Sequence, residues 1–380
     1  MNFGLTSEQE SMVSHVKDLL DKVCPPEYAA KCDETQTPPR EAFRAMGKNG
    51  WLGLIAPEEY GGAAATPTDL ALLLEETGHH FEELGLWLFR NFTYGCYAVL
   101  KHGTEEQKKR ILPGMVKGNL SFAFALTEPE SGSDAAALRT RAVPDGNDFI
   151  INGRKLYTSG MDIADYVLLA LRTNDLGKKQ LGISTFMVPT SLPGIVVKKI
   201  PTLGQRSIGT TEVTYNDVRV PRSALFGEID QGWSICEDTL RYERLCMSAA
   251  RIGAARSAFE FALDYAKTRH QFGKPIGGFQ VNQHKFADMK VMLDTSQTLI
   301  RRYAWLMEND KTQRADTAVV KYYVAECYKS ISDTCLQILG GNGYCMDYPM
   351  QRFFRDSRLA TIGGGTSEIQ KNIIASTLGL

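Results

Sequence analysis

The chain has 380 residues, which is longer than one typical domain, so two or three folded units are expected. Its 43 Lys and Arg residues nearly balance its 44 Asp and Glu residues, and a net charge of -1 excludes a global field that would hold nucleic acid or an anionic membrane. With 43% apolar and 23% charged residues, the composition is typical of a globular protein with a large core and excludes a disordered or fibrous chain.

Cysteine spacing and the amino terminus indicate the compartment. The eight cysteines include no Cys-x-x-Cys pair and no histidine at zinc-finger spacing, so we expect reduced core thiols and no metal site. The segment Met1–Gln9 lacks the basic and then apolar order of a signal peptide. No apolar run approaches the roughly 20 residues that a bilayer span needs. The sequence therefore predicts a cytoplasmic protein without a membrane span.

The first third of the chain has the helical period. A capping signal at Thr6 precedes apolar residues at helical spacing from Met12 to Val23. Another capping signal at Thr104 starts a helix that Pro113 is expected to end. Residues 1–118 are therefore predicted to form an N-terminal helical domain.

The middle third changes to the period of a strand. Between Leu120 and Thr127, large apolar residues alternate with small and hydroxyl residues. The Asn152-Gly153 pair between two apolar runs predicts a β-hairpin with a type I′ turn. Residues 119–230 are therefore predicted to form a small antiparallel β domain. Its further strands are expected at Tyr166–Leu171, Ile183–Val188, Ile195–Ile200 and Glu212–Tyr215.

Helical periodicity returns after Gly232 and continues to the end of the chain. Four long segments are joined by short links that contain glycine. This succession predicts an antiparallel helical bundle over residues 231–380. The sequence pattern alone thus indicates a helical domain, a β domain and a helical bundle, in that order.

One carboxylate in the bundle has an unusual position. Glu243 lies at helical spacing on a stripe of small and apolar residues that runs from Cys236 to Ala254, so it is predicted to face inward. Burial raises the pKa of a carboxyl group, which suits a general base. The pattern alone leaves open a structural ion pair with Arg241 or Arg244.

Each of three further segments can be interpreted either as part of a ligand site or as ordinary local structure. The loop Leu126–Asp134 can present hydroxyl and backbone donors to a flat heteroaromatic or a phosphate, or it is an ordinary polar turn. The glycines of Gly363–Thr366 permit close approach of a ligand, or they only break a helix. The segment Gln337–Gly341 is typical of a helix end with glycine caps, and only a known ligand would make it a binding segment.

Taken together, these segments closely resemble the acyl-CoA dehydrogenase family of flavoproteins, over essentially the whole chain. The resemblance implies an α+β fold with an N-terminal helical domain, a middle antiparallel β domain and a C-terminal four-helix bundle. It also implies FAD as the cofactor and an acyl-CoA thioester as the substrate. The matching motifs, in chain order, are Leu126–Pro129 with Ser131–Asp134, Arg269–Gly273, Gln337–Gly341, and Arg355-Asp356 followed by Gly365-Thr366.

By this resemblance, FAD lies between the β domain and the C-terminal helices, with Thr127 and Ser159 near its reactive nitrogen. Tyr157 stands where many members have tryptophan, which keeps a flat aromatic wall. Contacts from a neighbouring subunit imply an oligomer, typically a dimer of dimers. The residues carried over to the flavin are Phe124, Leu126, Thr127, Tyr157 and Ser159. Those carried over to the nucleotide part are Arg269, Gln271, Phe272, Thr366 and Glu368, with Phe279, Gln280, Gln337, Gly340 and Gly341 from the neighbouring subunit.

The implied reaction removes an α-proton from the thioester while a hydride leaves the β-carbon for flavin N5. Many members carry the base in a Glu-Gly-Thr turn, where this chain has Gly364–Thr366. Members of the isovaleryl and long-chain type carry it in a Glu-Arg-Leu sequence on a bundle helix, which Glu243–Leu245 matches. Glu243 is therefore the predicted base. The predicted clamp on the thioester oxygen is the Gly364 N–H with a ribityl hydroxyl of FAD.

Further residues match positions near the bound thioester. Ser133 matches a position toward the pantetheine, and Arg244 matches one beside the base. Many members have Gly-Ala-Gly-Ser where this chain has Glu130–Ser133, which is a departure from the family pattern.

The segment Phe89–Tyr94 matches part of the acyl-pocket floor. It carries hydrogen-bonding groups at Arg90, Asn91, Thr93 and Tyr94, where fatty-acyl enzymes have mostly small or apolar residues. A long alkyl chain would leave these groups unpaired if they are buried; alternatively, they point into helix packing or solvent. A glycine at 364 also removes side-chain volume. We therefore expect a short, branched, cyclic or polar acyl group, such as cyclohexane- or cyclohexene-carboxyl-CoA, with Asn91 nearest the distal carbons and Tyr94 as a second contact.

Other functions on the same fold remain open. They are an acyl-CoA oxidase, a flavin monooxygenase and a reductase of carnitine-derived enoyl-CoA. The chain ends at Leu380, soon after the last bundle helix, which favours the dehydrogenase with an electron-transferring flavoprotein as acceptor. A non-catalytic scaffold is favoured by the missing glutamate at 364 and opposed by the presence of Glu243.

Overall fold

The computed structural model describes residues 4–380, and its N-terminal part is helical, as predicted. The Thr6 side chain accepts a hydrogen bond from the Gln9 N–H and so caps the first helix. The last helix of this part continues through Pro113, so the prediction that Pro113 ends it is wrong. Because Pro113 lies in the final turn, it removes only one backbone hydrogen bond. The helices are α1 Ser7–Val23, α2 Pro26–Thr35, α3 Arg40–Lys48, α4 Pro67–His80, α5 Glu82–Arg90, α6 Ala98–His102 and α7 Glu105–Val116.

A wider helical turn joins α5 to α6. Residues Asn91–Tyr97 form a π-helix, which we call the π turn. Its backbone bonds run from residue i to residue i+5, which accommodates an extra residue per turn and is frequent at functional sites. All its residues from Asn91 to Cys96 are buried. The π turn therefore carries its side chains into the protein interior.

The middle part is an eight-stranded sheet in the order β6-β7-β3-β2-β4-β5-β8, with β1 beside β4. Most neighbours are antiparallel, as predicted, whereas β1 and β4 are parallel. The strands are β1 Phe122–Ala125, β2 Arg141–Asp145, β3 Asp148–Ser159, β4 Tyr166–Arg172, β5 Ile183–Pro189, β6 Ile195–Ile200, β7 Thr210–Pro221 and β8 Leu225–Phe226.

The predicted hairpin at Asn152-Gly153 is wrong, because both residues lie inside the single strand β3. A register irregularity beside β7 accompanies Gly153, whose φ is 146°. A Cβ there would lie 2.7 Å from the Thr140 Cα, so glycine is needed because the backbone at residue 153 lies so close to the backbone at residue 140. The actual turn joins β2 to β3 through Gly146, where Asp145 pairs with Asp148.

The C-terminal part is a bundle of long helices, which confirms the predicted fold class. Its longest helix, α8, packs against α4, α5, α9 and α10. Close crossing with α4 depends on Gly253, because a Cβ there would lie 1.9 Å from the Glu75 carbonyl oxygen. The last predicted helical segment is divided by the turn at residues 361–366. The elements are α8 Gly232–Thr268, β9 His270–Gln271, β10 Lys274–Pro275, α9 Gln280–Glu308, α10 Arg314–Leu339, α11 Gly341–Tyr344, α12 Met350–Ala360 and α13 Ser367–Thr377.

The cysteine side chains and the helices test two further expectations, that of reduced core thiols and that of a chain without a membrane span. All eight cysteines are free thiols; seven are buried, but Cys345 is exposed, so the expectation of a core thiol is wrong there. Among residues 4–380, no helix combines the length and apolar character that crossing a bilayer requires.

Candidate active site

Glu243 lies in the middle of α8 and faces the interior, as its apolar stripe predicts. The residue is 6% exposed, and the Tyr94 hydroxyl donates a hydrogen bond of 2.7 Å to its Oε2. Within residues 4–380, no ion pair joins Glu243 to Arg241 or Arg244. Arg241 instead faces Asp238 at 3.8 Å. The structural ion pair that the sequence left open is therefore not formed.

The environment of Glu243 adjusts its acidity. Burial raises the pKa of the Glu243 carboxyl group, while the Tyr94 hydrogen bond and the charge of Arg244 oppose this rise. Burial also raises the pKa of Tyr94 well above its ordinary value, so its hydroxyl remains a donor at neutral pH. A carboxylate with a raised pKa and one fixed donor has the properties of a general base.

The turn that precedes α13 lies directly beside Glu243. Gly364 and Gly365 have φ values of 68° and 90°, which favour glycine. The Gly364 carbonyl accepts a hydrogen bond from Arg244 Nε at 3.2 Å. The Gly365 carbonyl accepts one of 2.6 Å from Lys321 Nζ and one of 2.9 Å from Gln370 Nε2. The turn is therefore fixed by three side chains, and with it the Gly364 N–H.

The space beside Gly364 is occupied by another side chain. A Cβ built at Gly364 would lie 3.5 Å from Glu243 Oε1, which puts the predicted base and the predicted clamp in one site. The same Cβ would lie 2.5 Å from Met247 Cε. The volume expected from the missing glutamate is therefore filled by the Met247 methyl group.

The residues predicted to contact the flavin come together at the ends of β1 and β3. The Leu156 N–H donates to the Thr127 carbonyl at 2.9 Å, which joins the two strand ends. Tyr157 is 62% exposed at a β-bulge, with a φ of 57° that is rare for a residue other than glycine. The Ser159 hydroxyl lies 3.1 Å from that of Thr210. Aromatic faces beside hydroxyl groups fit a flavin ring, which has a flat apolar face and a polar edge.

We call the predicted flavin contacts at the ends of β1 and β3 the flavin wall. One aromatic residue connects this wall to the predicted base. The rings of Tyr94 and Phe124 have centroids 5.2 Å apart, and the hydroxyl of Tyr94 contacts Glu243. Leu126 is buried at the end of the same strand. The predicted flavin contacts and the predicted base therefore belong to one site.

A second group of predicted FAD contacts lies at one end of the bundle, which we call the open end and define as Arg269–Gln280 with Gln337–Gly341. Its members include Arg269, Gln271, Phe272, Phe279, Gln280, Gln337, Gly340 and Gly341. The Asn342 amide donates to the Tyr265 hydroxyl at 3.0 Å, which joins the residues that flank the two segments. Phe272 is 94% exposed and meets Phe279 edge-on. A Cβ at Gly340 or Gly341 would contact nothing within 4 Å. An exposed aromatic surface of this kind is typical of a binding or assembly site.

The remaining predicted contacts have different surroundings. Thr366 caps α13 by accepting a hydrogen bond from the Ile369 N–H at 3.3 Å. Glu368 is exposed in the first turn of α13, where backbone N–H groups lower its pKa. Ser133 is exposed in its loop. Asn91 is buried, and its amide donates to the Leu120 carbonyl at 2.8 Å, so one of its two amide donors serves packing.

The sequence reasoning missed several residues of the site. Lys321 is almost fully buried, and burial, with the charges of Arg251 and Arg244, lowers its pKa to about 7. Its position on an apolar face beside Val320 and Val324 gives the same kind of signal that identified Glu243. Met247 and Gln370 give no such signal, because their roles depend on the fold of the turn.

Comparison with known proteins matches each part of this architecture to one family. Residues 6–119 match the acyl-CoA dehydrogenase N-terminal domain, residues 123–218 its middle domain, and residues 230–379 its C-terminal domain. The chain is 36% identical to a probable acyl-CoA dehydrogenase of Bacillus subtilis, over 100% of both chains. It is 34% identical to the 3-(aryl)acrylate reductase of Clostridium sporogenes, over 98% of this chain and 99% of that protein.

A solved structure gives the same result. Butyryl-CoA dehydrogenase from Megasphaera elsdenii superposes with a TM-score of 0.96 at 28% sequence identity, over 100% of both chains. The similarity therefore includes all three domains and their arrangement.

Proposed function

This chain belongs to the acyl-CoA dehydrogenase family of FAD-dependent oxidoreductases, and we propose that it oxidises a short, branched or cyclic acyl-CoA with Glu243 as the catalytic base. The observation that carries the proposal is the contact geometry of that carboxylate. Glu243 is buried, receives one hydrogen bond from Tyr94 and lies beside the Gly364 turn. The presence of a carboxylate suited to act as a base in a buried site argues against the alternative that the protein is a non-catalytic scaffold.

The protein groups perform three tasks in this mechanism. Glu243 takes the α-proton of the thioester, and its raised pKa favours that transfer. The Gly364 N–H donates to the thioester oxygen, where negative charge develops. Arg244 and Lys321 hold that turn through its carbonyl oxygens, so the donor is positioned before the reaction. FAD, when bound against the Thr127 and Ser159 wall, supplies the acceptor for the hydride from the β-carbon.

The acyl group is proposed to be short, branched or cyclic because the segment Phe89–Tyr94, which we assign to the floor of the pocket, carries buried polar groups. The Asn91 Oδ1 atom is buried and accepts no hydrogen bond within residues 4–380. A long alkyl chain would leave such a group unpaired, at about 1–3 kcal/mol each. The named activity of the 3-(aryl)acrylate relative is consistent with a compact ring. Cyclohexane- and cyclohexene-carboxyl-CoA are therefore the first compounds to test.

The proposed partners are an electron-transferring flavoprotein, as electron acceptor, and further copies of this chain. Support for self-association comes from the open end, where Phe272 and Gly340 present surface that residues 4–380 leave uncovered. A dimer of dimers is the arrangement proposed.

The decisive experiment is anaerobic titration of the purified flavoprotein with straight, branched, cyclic and carnitine-derived CoA thioesters. Loss of the oxidised flavin absorbance with a short, branched or cyclic thioester supports the proposal. A protein whose flavin is bleached by no thioester contradicts it. Rapid reoxidation of the bleached flavin by oxygen would instead indicate an oxidase, and oxidation of a reduced sample by an enoyl-CoA would indicate the reductase direction.

A further inference from the structure

The end of α4 carries one carboxylate and two histidines that take no part in the candidate active site. These residues are Glu76, His79 and His80, at the spacing i, i+3 and i+4 of one helix. One potential ligand atom from each lies within 4.8 Å of the other two. Glu76 Oε1 is 3.6 Å from His80 Nδ1 and 4.0 Å from His79 Nδ1. We call these three residues the α4 cluster.

Two atoms of the α4 cluster are buried acceptors without a donor. Glu76 is 5% exposed, and its Oε1 atom has no hydrogen-bond partner within residues 4–380. The buried Nδ1 atom of His79 lacks a partner in the same part of the chain. Glu76 Oε2, by contrast, accepts a hydrogen bond of 2.7 Å from Arg256 Nη2. Because a buried acceptor without a donor is destabilising, a cation bound at this point would relieve both atoms.

The partner of each Nε2 atom determines where the histidine carries its proton. His79 Nε2 lies 2.7 Å from Glu260 Oε2, and His80 Nε2 lies 2.9 Å from Asp21 Oδ1. An ionised carboxylate only accepts hydrogen bonds, so each Nε2 must be the donor. In a neutral imidazole the other nitrogen, Nδ1, then has a free lone pair. The α4 cluster therefore brings together two lone pairs and one carboxylate oxygen.

This arrangement has the features of a metal site. A histidine that binds a metal through one nitrogen normally donates its other N–H to a carboxylate or a carbonyl oxygen. Zinc–nitrogen bonds of about 2.0–2.1 Å place tetrahedral ligands about 3.3 Å apart. The distances from Glu76 Oε1 are slightly longer, and small side-chain rotations would shorten them. His80 Nδ1 also lies 3.0 Å from the Glu76 carbonyl oxygen, a contact between two acceptors that a nearby cation would stabilise.

The charges around the α4 cluster favour a divalent cation. Four carboxylates are joined by direct contacts to two cationic side chains, so neutral histidines leave two negative charges in the group. The carboxylates are those of Asp21, Glu75, Glu76 and Glu260, and the cations are Lys17, which pairs with Asp21, and Arg256, which faces the other three.

We infer that the α4 cluster binds one Zn²⁺ ion through Glu76 Oε1, His79 Nδ1 and His80 Nδ1, with water as the fourth ligand. Imidazole ligands favour zinc over Mg²⁺ and Ca²⁺, which prefer oxygen. The His79 side chain is 20% exposed, so water reaches the site. The expectation of no metal site depended on cysteine and zinc-finger spacing, which gives no signal for such a site.

The role of this ion is structural. The carboxylates that orient the two histidines come from α1, through Asp21, and from α8, through Glu260. Both helices pack against α4. The ion therefore fixes α4 between α1 and α8, and its binding does not depend on the proposed function.

The test measures binding of Zn²⁺ to the FAD-loaded protein after treatment with a chelator. Isothermal titration calorimetry gives the stoichiometry and the Kd, and thermal unfolding gives the Tm with and without the ion. We expect one ion per chain and a Tm that rises by a few degrees at saturating Zn²⁺, with no such response to Mg²⁺. His79→Gln removes a ligand and should raise the Kd at least about a hundredfold, whereas Glu260→Gln removes only an orienting partner and should raise it about tenfold. His15→Gln, at an exposed histidine of α1, should leave the Kd unchanged.

Two results would overturn the inference. One is the absence of saturable Zn²⁺ binding, which is expected if His80 is held as an imidazolium that donates to both Asp21 and the Glu76 carbonyl. The other is an unchanged Kd in His79→Gln, which would place the ion elsewhere. Because the Glu260 side chain is 49% exposed, Glu260→Gln should fold even if His79→Gln does not, and an unchanged Kd in that variant would likewise contradict the site. Flavin absorbance checks that each variant is loaded with FAD.

Discussion

The base site and the open end differ in how complete they are within one chain. At the base site, Glu243 is buried, its hydrogen bond is made, and the adjacent turn is fixed by Arg244 and Lys321. At the open end, Phe272 is 94% exposed, and a Cβ at Gly340 or Gly341 would have no atom of residues 4–380 within 4 Å beyond its immediate chain neighbours. The groups proposed for proton removal thus all belong to a single chain, whereas the surface proposed for the nucleotide part of FAD is left open for a further component.

This difference separates the effects that mutations should have. A change at the base site should alter the rate of reaction and leave the amount of bound FAD unchanged. A change at the open end should alter FAD retention and association of subunits, with the chemistry of the loaded protein preserved.

The largest effect is expected for Glu243→Gln. The amide keeps the shape and can still accept the Tyr94 hydrogen bond, but it cannot take a proton. Anaerobic flavin bleaching by a substrate thioester should slow by about 10²- to 10⁴-fold, with FAD content unchanged. Glu237→Gln, an exposed position on the same helix, is the matched control. Near-normal bleaching by Glu243→Gln would reject this base.

The next effect concerns the open end, in the double variant Phe279→Ala with Gln280→Ala. Loss of a phenyl ring that is buried on binding costs about 1.5–3 kcal/mol, so the FAD dissociation constant should rise by about ten- to a hundredfold. Ultrafiltration measures FAD retention, and light scattering measures the oligomeric state. Val291→Ala, exposed on the same helix, should change neither. A monomer that retains FAD fully would contradict a shared site.

A smaller effect is expected for Tyr94→Phe. This change removes the 2.7 Å hydrogen bond to Glu243, and that bond lowers the pKa of the carboxyl group. The pKa of Glu243 should therefore rise, and the acidic limb of the kcat/KM profile should move to higher pH, with a loss of roughly tenfold at neutral pH. Tyr97→Phe is the control, because its hydroxyl faces Asp238. An unchanged profile would show that Tyr94 does not tune the base.

The smallest effect is on stability and comes from buried carboxyl groups of α5 and α12. Burial raises the pKa of Glu82, Glu83 and Asp356 above their ordinary values. The folded state then binds more protons than the unfolded state between the ordinary and the raised pKa values, so the free energy of unfolding falls as pH rises through that window. The Tm should drop by a few degrees between about pH 5.5 and about pH 8.5.

The variant that tests this prediction is Glu83→Gln. The amide can still accept the Ile208 N–H but cannot ionise, so the dependence of Tm on pH should become shallower. Glu106→Gln, at an exposed position, should leave the dependence unchanged. A Tm that rises with pH across this window would show that the cluster does not hold protons in the folded state.

The sequence predicts those features that depend on periodicity. The order of the domains follows from the change of apolar period, and Glu243 was identified because a carboxylate interrupts a helical stripe. Lys321 could have been found in the same way. Patterns of local turns were less reliable: Asn152-Gly153 lies inside a bulged strand because cross-strand neighbours decide the register, and Pro113 is tolerated in a last helical turn.

Other features of the site have no local signal. The Nε and Nη2 atoms of Arg90 have no hydrogen-bond partner among residues 4–380, although Glu83 acts on Arg90 electrostatically. The Met247 methyl group fills the space at Gly364 because α8 and the turn before α13 meet there. Such contacts are properties of the folded chain and cannot be derived from spacing.

The π turn has a consequence for how this pocket can change in evolution. A π-helix contains one residue more than the α-helix that it replaces, so deletion of a single residue from Asn91–Tyr97 could restore a regular α-helix. Each residue of an α-helix turns the chain by about 100°. Such a deletion would therefore rotate Arg90 and Tyr94 relative to each other and exchange the side chains that we propose to face the acyl group. Specificity in this protein can thus change through the length of one helical turn, without replacement of any amino acid.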